Sequence, residues 1–225
     1  MGLFKNKNKL DDADFVSHRT RMVEQQLVTR GIKDARVLAA MRSVPRHLFV
    51  PEAYRAEAYY DCPQPIGYGQ TISQPFIVAS MTAELELEEK ERVLEIGTGC
   101  GYQTAVLAEI AADIYSIEII PELSQKATGL LKTLGYRSIH TLVADGSLGW
   151  PEQAPFDAII VTAAALKEPA TLMNQLAVGG RMVYPLDLGR FSCQQLLKIR
   201  RTDKGFDRQY LYDVRFVPMQ GRAGD

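Results

Sequence analysis

The stretch Glu95-Ile96-Gly97-Thr98-Gly99-Cys100-Gly101-Tyr102 sits between a short apolar run, Val93-Leu94-Glu95-Ile96, and a helical pattern over residues 102–111. Its glycines let backbone approach a ligand closely, and the start of the helix behind it offers unpaired N–H groups and the positive end of a dipole. The stretch therefore reads as a strand-to-helix turn that receives an anion. Outward from it the rhythm repeats. Apolar runs at 114–119, 139–144 and 158–162 alternate with helical patterns at 121–134 and 169–177, which predicts βαβ units and a parallel sheet covered by helices. Gly179-Gly180 is read as turning the chain into a strand over 181–186. Two further strands, 194–201 and 209–217, joined by a turn at Asp203-Lys204-Gly205, are expected to pair antiparallel.

Spacing narrows the ligand. A dinucleotide fingerprint needs its third glycine three residues after the second, where this chain has Tyr102. The G-x-G-x-G pattern Gly97, Gly99, Gly101 fits a smaller anion such as the carboxylate of S-adenosylmethionine. Glu118 closes the second strand, where a carboxylate can accept both ribose hydroxyls. Asp145, followed by Gly146, closes the third and can accept from an adenine amine. Three successive strand ends then line the edge at which open α/β sheets bind ligands. Taken singly, Glu118 or Asp145 reads as well as a solvated strand end or a helix cap.

Before this region the pattern is helical. Asp14 or Ser17 is expected to cap a helix reaching Thr29 with a Met22, Val23, Gln26, Leu27 face, stopped by Gly31. A second starts at Asp34, buries Val37, Leu38 and Met41, and ends at Pro45. Residues 49–75, rich in proline and glycine and holding Tyr54, Tyr59, Tyr60 and Tyr68, read as a long functional loop.

Composition excludes several classes. The 225 residues are 46% hydrophobic and 24% charged, as in a soluble globular protein of one main core. Lys and Arg number 26 against 27 Asp and Glu, so no global field draws polyanions and no nucleic-acid partner is expected. Lys198, Arg200, Arg201, Lys204 and Arg208 are read as a solvated strand and turn, interrupted by Asp203 and Asp207. The three cysteines, Cys62, Cys100 and Cys193, lack disulfide or zinc spacing and are read as small packing residues. No metal and no membrane partner are expected, and a cytoplasmic monomer is.

The chain resembles the protein-L-isoaspartate (D-aspartate) O-methyltransferase family over residues 21–219. The carrying stretches are Met22-Val23, Gln26-Leu27, Arg30-Gly31-Ile32, Val44-Pro45-Arg46, Phe49-Val50-Pro51, Glu95 to Tyr102, Phe156 to Ala164, Gly179-Gly180-Arg181 and Arg215-Phe216-Val217-Pro218. The most specific is Pro65-Ile66-Gly67-Tyr68-Gly69-Gln70-Thr71-Ile72-Ser73-Gln74-Pro75. The resemblance implies an α/β fold with a doubly wound, mostly parallel sheet of the Rossmann-like class I S-adenosylmethionine methyltransferase type, an N-terminal helical appendage and C-terminal antiparallel strands. It divides the chain into a solvated tail (1–10), a helical and loop region contributing to the active site (11–90), the cofactor-binding domain (91–219) and a tail (220–225).

It further implies methyl transfer to the α-carboxylate of isoaspartyl residues in damaged proteins, with repair through a succinimide. Ser73 is then the residue at the transfer point. Gln70, Thr71, Ile72, Ser73, Glu95, Gly97, Thr98, Gly99, Gly101, Glu118, Asp145 and Gly146 are the expected cofactor residues, and Ile72, Ser73, Val217 and Pro218 the expected substrate residues. On spacing alone Ser73 reads as a helix N-cap before Pro75, and Tyr54, Tyr59 and Tyr60 as packing residues. Surface or structural roles are expected of His18, His47 and His140. The chain departs from the family at Leu166-Lys167-Glu168 before Pro169 and at Asp187, both expected on rim loops. Three rivals remain: a carboxyl methyltransferase for ordinary aspartyl residues of a dedicated partner peptide, a nicotinamide oxidoreductase, and a non-catalytic S-adenosylmethionine-binding module.

Overall fold

The computed structural model describes residues 12–189 and 194–221. The expected tail over residues 1–10 and the reading of Cys193 lie outside them. The chain opens with α1 (Ala13–Met22), capped by Asp12 rather than by Asp14 or Ser17, because Asp12 Oδ1 accepts from Asp14 N. One π-helical segment, Val23–Val28, continues it and buries Val23 and Leu27. Asp34 caps α2 (Ala35–Ser43) by accepting from Arg36 N and Val37 N. Leu38 is only half-buried; Ala40 takes the third core position with Val37 and Met41.

The stretch expected as a loop contains a hairpin, β1 (Gln64–Gly67) and β2 (Gln70–Ile72), before α3 (Pro75–Glu84). Tyr68 and Gly69 turn it, both at positive φ (56° and 71°), the backbone of a two-residue turn that follows strand twist. Tyr59 packs in the core as expected, whereas Tyr54 and Tyr60 are exposed. Cys62 is exposed too and does not pack.

From β3 (Arg92–Ile96) the chain alternates through α4 (Tyr102–Ala108), β4 (Asp113–Glu118), α5 (Pro121–Thr133), β5 (Ile139–Val143) and β6 (Phe156–Val161). Strands β3, β4 and β6 are buried almost throughout, which is why they read as unbroken apolar runs. The expected helix over 169–177 is one turn, α6 (Ala170–Met173), because Leu176 already pairs with Phe156. Strand β7 (Leu176–Asp187) thus begins before Gly179-Gly180, and the glycines fall where its register with β6 shifts. β8 (Gln194–Thr202) and β9 (Gly205–Val214) complete the sheet. β9 begins and ends earlier than expected, so residues 215–219 leave the sheet, with a bridge at Ala164–Pro218.

The sheet order is β5-β4-β3-β6-β7-β8-β9, parallel up to β7 and antiparallel beyond. The chain walks outward from β3 through β4 to β5 and returns to place β6 on β3's other side. That reversal opens a crevice beyond the carboxyl ends of β3, β4 and β6, where doubly wound sheets bind ligands.

Two ion clusters, each built on one buried cation, tie the layers. Arg181 donates to Leu85 O, Glu86 O and Asp157 O and pairs with both oxygens of Glu91. Lys198, expected in solvent, is buried against Glu84 and Glu86. Arg200 shares Glu86, and Arg208 pairs with Glu168 through both nitrogens. Three of the five basic residues are thus paired with local carboxylates, and Arg201 donates to Asn174 O and Leu176 O. His47 is buried with Nδ1 2.8 Å from Tyr59 Oη, while the half-exposed His140 stacks on Tyr115 and meets Asp113. Among the described residues no helix is long and apolar enough to cross a membrane, and no cluster of three metal-ligating side chains occurs.

Candidate active site

Two adjoining cavities occupy the crevice. The first is walled by Gln70 and Thr71 of the hairpin, Gly97 and Gly99 of the glycine turn, Glu118 and Gly146, with Val217 and Pro218 closing it. The second runs between Thr71, Ile72, Ser73 and the turn at Gly97, Thr98 and Gly99. A third, outside Ser73, is shared with Thr162 and Val217. Most of the expected site residues therefore converge.

Glu118 stands nearly buried at the end of β4, with Oε2 accepting from Gly99 N at 2.7 Å and Oε1 from Ile120 N at 3.0 Å. Its carboxylate holds the glycine turn and faces the first cavity at the same time. Other N–H groups of the turn are also spent: Gly97 and Thr98 donate to Ile117 O, and Gly101 to Thr98 O. The expected cradle of free N–H groups is thus largely satisfied inside the protein.

Three expected residues, Gly101, Asp145 and Glu95, stand off the cavities. Gly101 faces Ala127 and Leu131 of α5. Asp145 accepts from Ser147 N and Oγ, and Gly221 presses on it so closely that a Cβ there would stand 2.1 Å from Oδ1. Gln220, expected in a tail, lines the first cavity.

Glu95 lies fully buried beneath the glycine turn. Its Oε2 accepts from Thr104 Oγ1 at 2.5 Å and Ser116 Oγ at 2.6 Å, and Thr98 Oγ1 in turn lies 2.5 Å from Ser116 Oγ. Burial pushes this carboxyl up from 4.5 to about 8, against the lowering effect of the two hydroxyls. Glu95 is consequently a neutral acid at pH 7. The folded chain keeps the proton up to about pH 8 while the unfolded chain releases it near 4.5. The group's contribution to stability is therefore complete below pH 4.5 and is lost as pH rises toward 8. Glu95→Gln, isosteric and never ionised, is expected to lack that loss. Denaturant titrations at pH 5 and pH 8 should show the variant gaining on the parent at the higher pH; equal offsets at both would contradict the assignment.

Sequence reasoning missed three side chains. Thr162, at the end of β6, donates to Ile96 O or Gly97 O (3.0 and 2.9 Å) and lines all three cavities. Gly97, at φ +95°, passes so near it that a Cβ would meet Thr162 Oγ1 at 2.4 Å; only glycine fits. The strand-end logic applied to Glu118 extends to Thr162 and could have found it. Arg46 is fully buried over the Tyr102 ring, 4.8 Å from its centroid, and donates to Ala58 O at 2.7 Å and Ser73 O at 2.8 Å. It fixes the main chain at Ser73 from beneath. Gln194 clamps Phe216, accepting from its N–H at 2.5 Å and donating to its carbonyl at 3.2 Å, a long-range contact with no local sequence signal.

Ser73 itself is half-buried, and its side chain does not cap α3, whose N-cap is Gln74 without a side-chain bond. The free end of that helix is met by Asp61, which accepts from Phe76 N. Cys100, half-buried in the second cavity, is held as a thiol, its pKa pushed up to about 11 by burial. No histidine lines any of the three cavities. The arrangement can hold an adenosine-bearing ligand by carboxylate, glycine and apolar walls, and present its far end to a group beside Ser73.

The family model described as "Protein-L-isoaspartate(D-aspartate) O-methyltransferase" matches residues 17–224. A curated relative from Syntrophobacter fumaroxidans, protein-L-isoaspartate O-methyltransferase 1, is 54% identical over 94% of this chain and 98% of its own. Another from Marinobacter nauticus, protein-L-isoaspartate O-methyltransferase 2, is also 54% identical, over 95% and 98%. A solved protein-L-isoaspartate O-methyltransferase superposes with a TM-score of 0.83 at 27% identity over 92% of this chain and 67% of that one. A Plasmodium falciparum protein of the same description, in complex with S-adenosyl-L-homocysteine, gives 0.78 at 26% identity over 90% and 98%.

Proposed function

The chain belongs to the protein-L-isoaspartate(D-aspartate) O-methyltransferase family, and from that premise we propose that it transfers the methyl group of S-adenosylmethionine to the α-carboxylate of L-isoaspartyl residues in damaged proteins. The observation that carries this reading is the placement of strand β2. Thr71 walls the ligand crevice while Ser73, two residues on, opens onto the outer cavity with Val217.

The cavity fits S-adenosylmethionine by its donor set. Glu118 can accept from ribose hydroxyls, and Ile96, Ile117 and Ile119 give apolar walls. Glu118, Gly146, Gly97 and Gly99 would hold it, with Gln70, Thr71 and Ile72 closing from above. Bound there, it supplies a methyl group on a sulfonium. The substrate carboxylate, whose ordinary pKa is about 3.9, is already ionised at neutral pH, so no general base is needed. The cavities' lack of histidine agrees with that. Ser73 donates one hydrogen bond to one carboxylate oxygen and leaves the other free to attack in line. The group held there would supply an electrophilic methyl carbon to that oxygen, its sulfur keeping the electron pair of the broken C–S bond. Two opposite charges disappear, so the hairpin and the 217–220 segment assist by excluding water. The substrate's main-chain amide nitrogen then attacks the ester carbonyl and expels methanol to give a succinimide, and hydrolysis returns part of it to aspartate.

The same reading takes the enzyme to be a cytoplasmic monomer. Cys62 and Cys100 are free thiols, in keeping with a reducing compartment.

Paired peptides, one isoaspartyl and one aspartyl but otherwise identical, test the reaction with radiolabelled S-adenosylmethionine. Label is expected on the isoaspartyl peptide alone, in base-labile form. Label on the aspartyl peptide would favour the partner-peptide reading, and no label on either would overturn the proposal.

A further inference from the structure

Two arginines face the groove outside Ser73. Arg30 is spent, its guanidinium paired with Asp61 and 3.5 Å over the Phe76 ring. Arg215 is different. It lines both the small cavity that contains Ser73 and the larger groove into which that cavity continues. It is exposed, and among the described residues nothing pairs with, bonds to or stacks on its side chain. Its backbone is nevertheless fixed. Gln194 holds both main-chain groups of the next residue, Phe216, and Ala164 N donates to Val217 O at 2.8 Å. Asp213 lines only the outer groove, where its Oδ1 accepts from Tyr210 Oη. A substrate chain leaving Ser73 thus passes an unused cation first and a carboxylate farther out.

We propose that Arg215 is a specificity residue that pairs with an acidic side chain next to the modified residue, so that the enzyme favours damaged sites flanked by Asp or Glu. The inference rests on the carboxyl-methylation reading above. The partner is a neighbouring carboxylate rather than the reacting one, because a guanidinium fork holds both oxygens of the group it binds and the nucleophile must keep one free. An exposed pair of this kind changes kcat/KM by about two- to fivefold.

The test compares isoaspartyl peptides that differ only in carrying Glu, Gln or Lys beside the reacting residue, in one series on its N-terminal side and in another on its C-terminal side. In at least one series the parent enzyme should rank them Glu, Gln, Lys, with the advantage shrinking as salt is added. Arg215→Gln should erase that ranking and Arg215→Glu should invert it, both with unchanged affinity for S-adenosylhomocysteine, which also reports that they are folded. An identical ranking in parent and variants, or no advantage for Glu in either series, would overturn the proposal. Failure of the premise looks different: no isoaspartyl peptide of any charge becomes labelled, and the proposal falls with it.

Discussion

Glu118→Ala is expected to weaken S-adenosylhomocysteine binding by about 2–4 kcal/mol, roughly 30- to 1000-fold in Kd. Two losses combine. The carboxylate that would accept the ribose hydroxyls is gone, and so is the acceptor that fastens the glycine turn through Gly99 N and Ile120 N. Glu118→Gln should fall between, since the amide oxygen retains one acceptor but the charge is lost. Calorimetric titration measures both, with thermal unfolding as the control for folding. A Kd within about threefold of the parent, against the size expected of hydrogen bonds to a charged group, would place the ribose elsewhere.

Ser73→Ala should lower kcat by about 10- to 100-fold, the value of one oriented hydrogen bond to a charged group in the transition state. S-adenosylhomocysteine affinity should stay close to that of the parent, because Ser73 does not line the first cavity. The main chain at Ser73 should also hold its place, since Arg46 grips the carbonyl and not the hydroxyl. Ser73→Thr, which keeps a hydroxyl, should recover part of the rate. Single-turnover transfer to an isoaspartyl peptide separates this from binding. An unchanged rate in the alanine variant would leave Ser73 a structural residue, though not the helix cap that its spacing suggests.

Strands β3, β4 and β6 were legible because they are buried on both faces, and the glycine turn because its signal is local. Glu118 could be placed only by joining its strand end to the glycine turn beside it, and the same logic put Asp145, which stands off the cavities, in the site. Glu95 shows where such logic stops: the same residue type near a neighbouring strand end lies deeper in the sheet, meets Thr104 and Ser116, and loses its charge. Its register pairs it with Ser116, on the same face as Glu118 but two residues deeper, and depth in a sheet is a property of pairing rather than of the strand itself. The hairpin was hidden for a different reason. Its turn needs positive φ at two residues, and Tyr68-Gly69 lacks the Asn-Gly or Asp-Gly signature by which such turns are recognised.

Arg46 was quoted within a matching stretch, but nothing local distinguishes a fully buried guanidinium from an exposed one. Its partners, Ala58 O and Ser73 O, lie 12 and 27 residues away. Of the two departures expected on rim loops, Leu166 lies in a loop, whereas Asp187 is the last residue of β7, paired with Gln194. Leu166 is exposed, and Asp187 accepts from Gly189 N and Gln194. Asp187 thereby shares Gln194 with Phe216, which links that substitution to the segment carrying Arg215 and Val217.

A crystal structure of the protein with S-adenosylhomocysteine and an isoaspartyl peptide bound together is the most direct check. It should show the ribose on Glu118, the adenine toward Gly146, and the peptide carboxylate between the sulfur and the Ser73 hydroxyl. A nucleoside lying outside the crevice of β3, β4 and β6, or a carboxylate remote from Ser73, would contradict the account at its foundation.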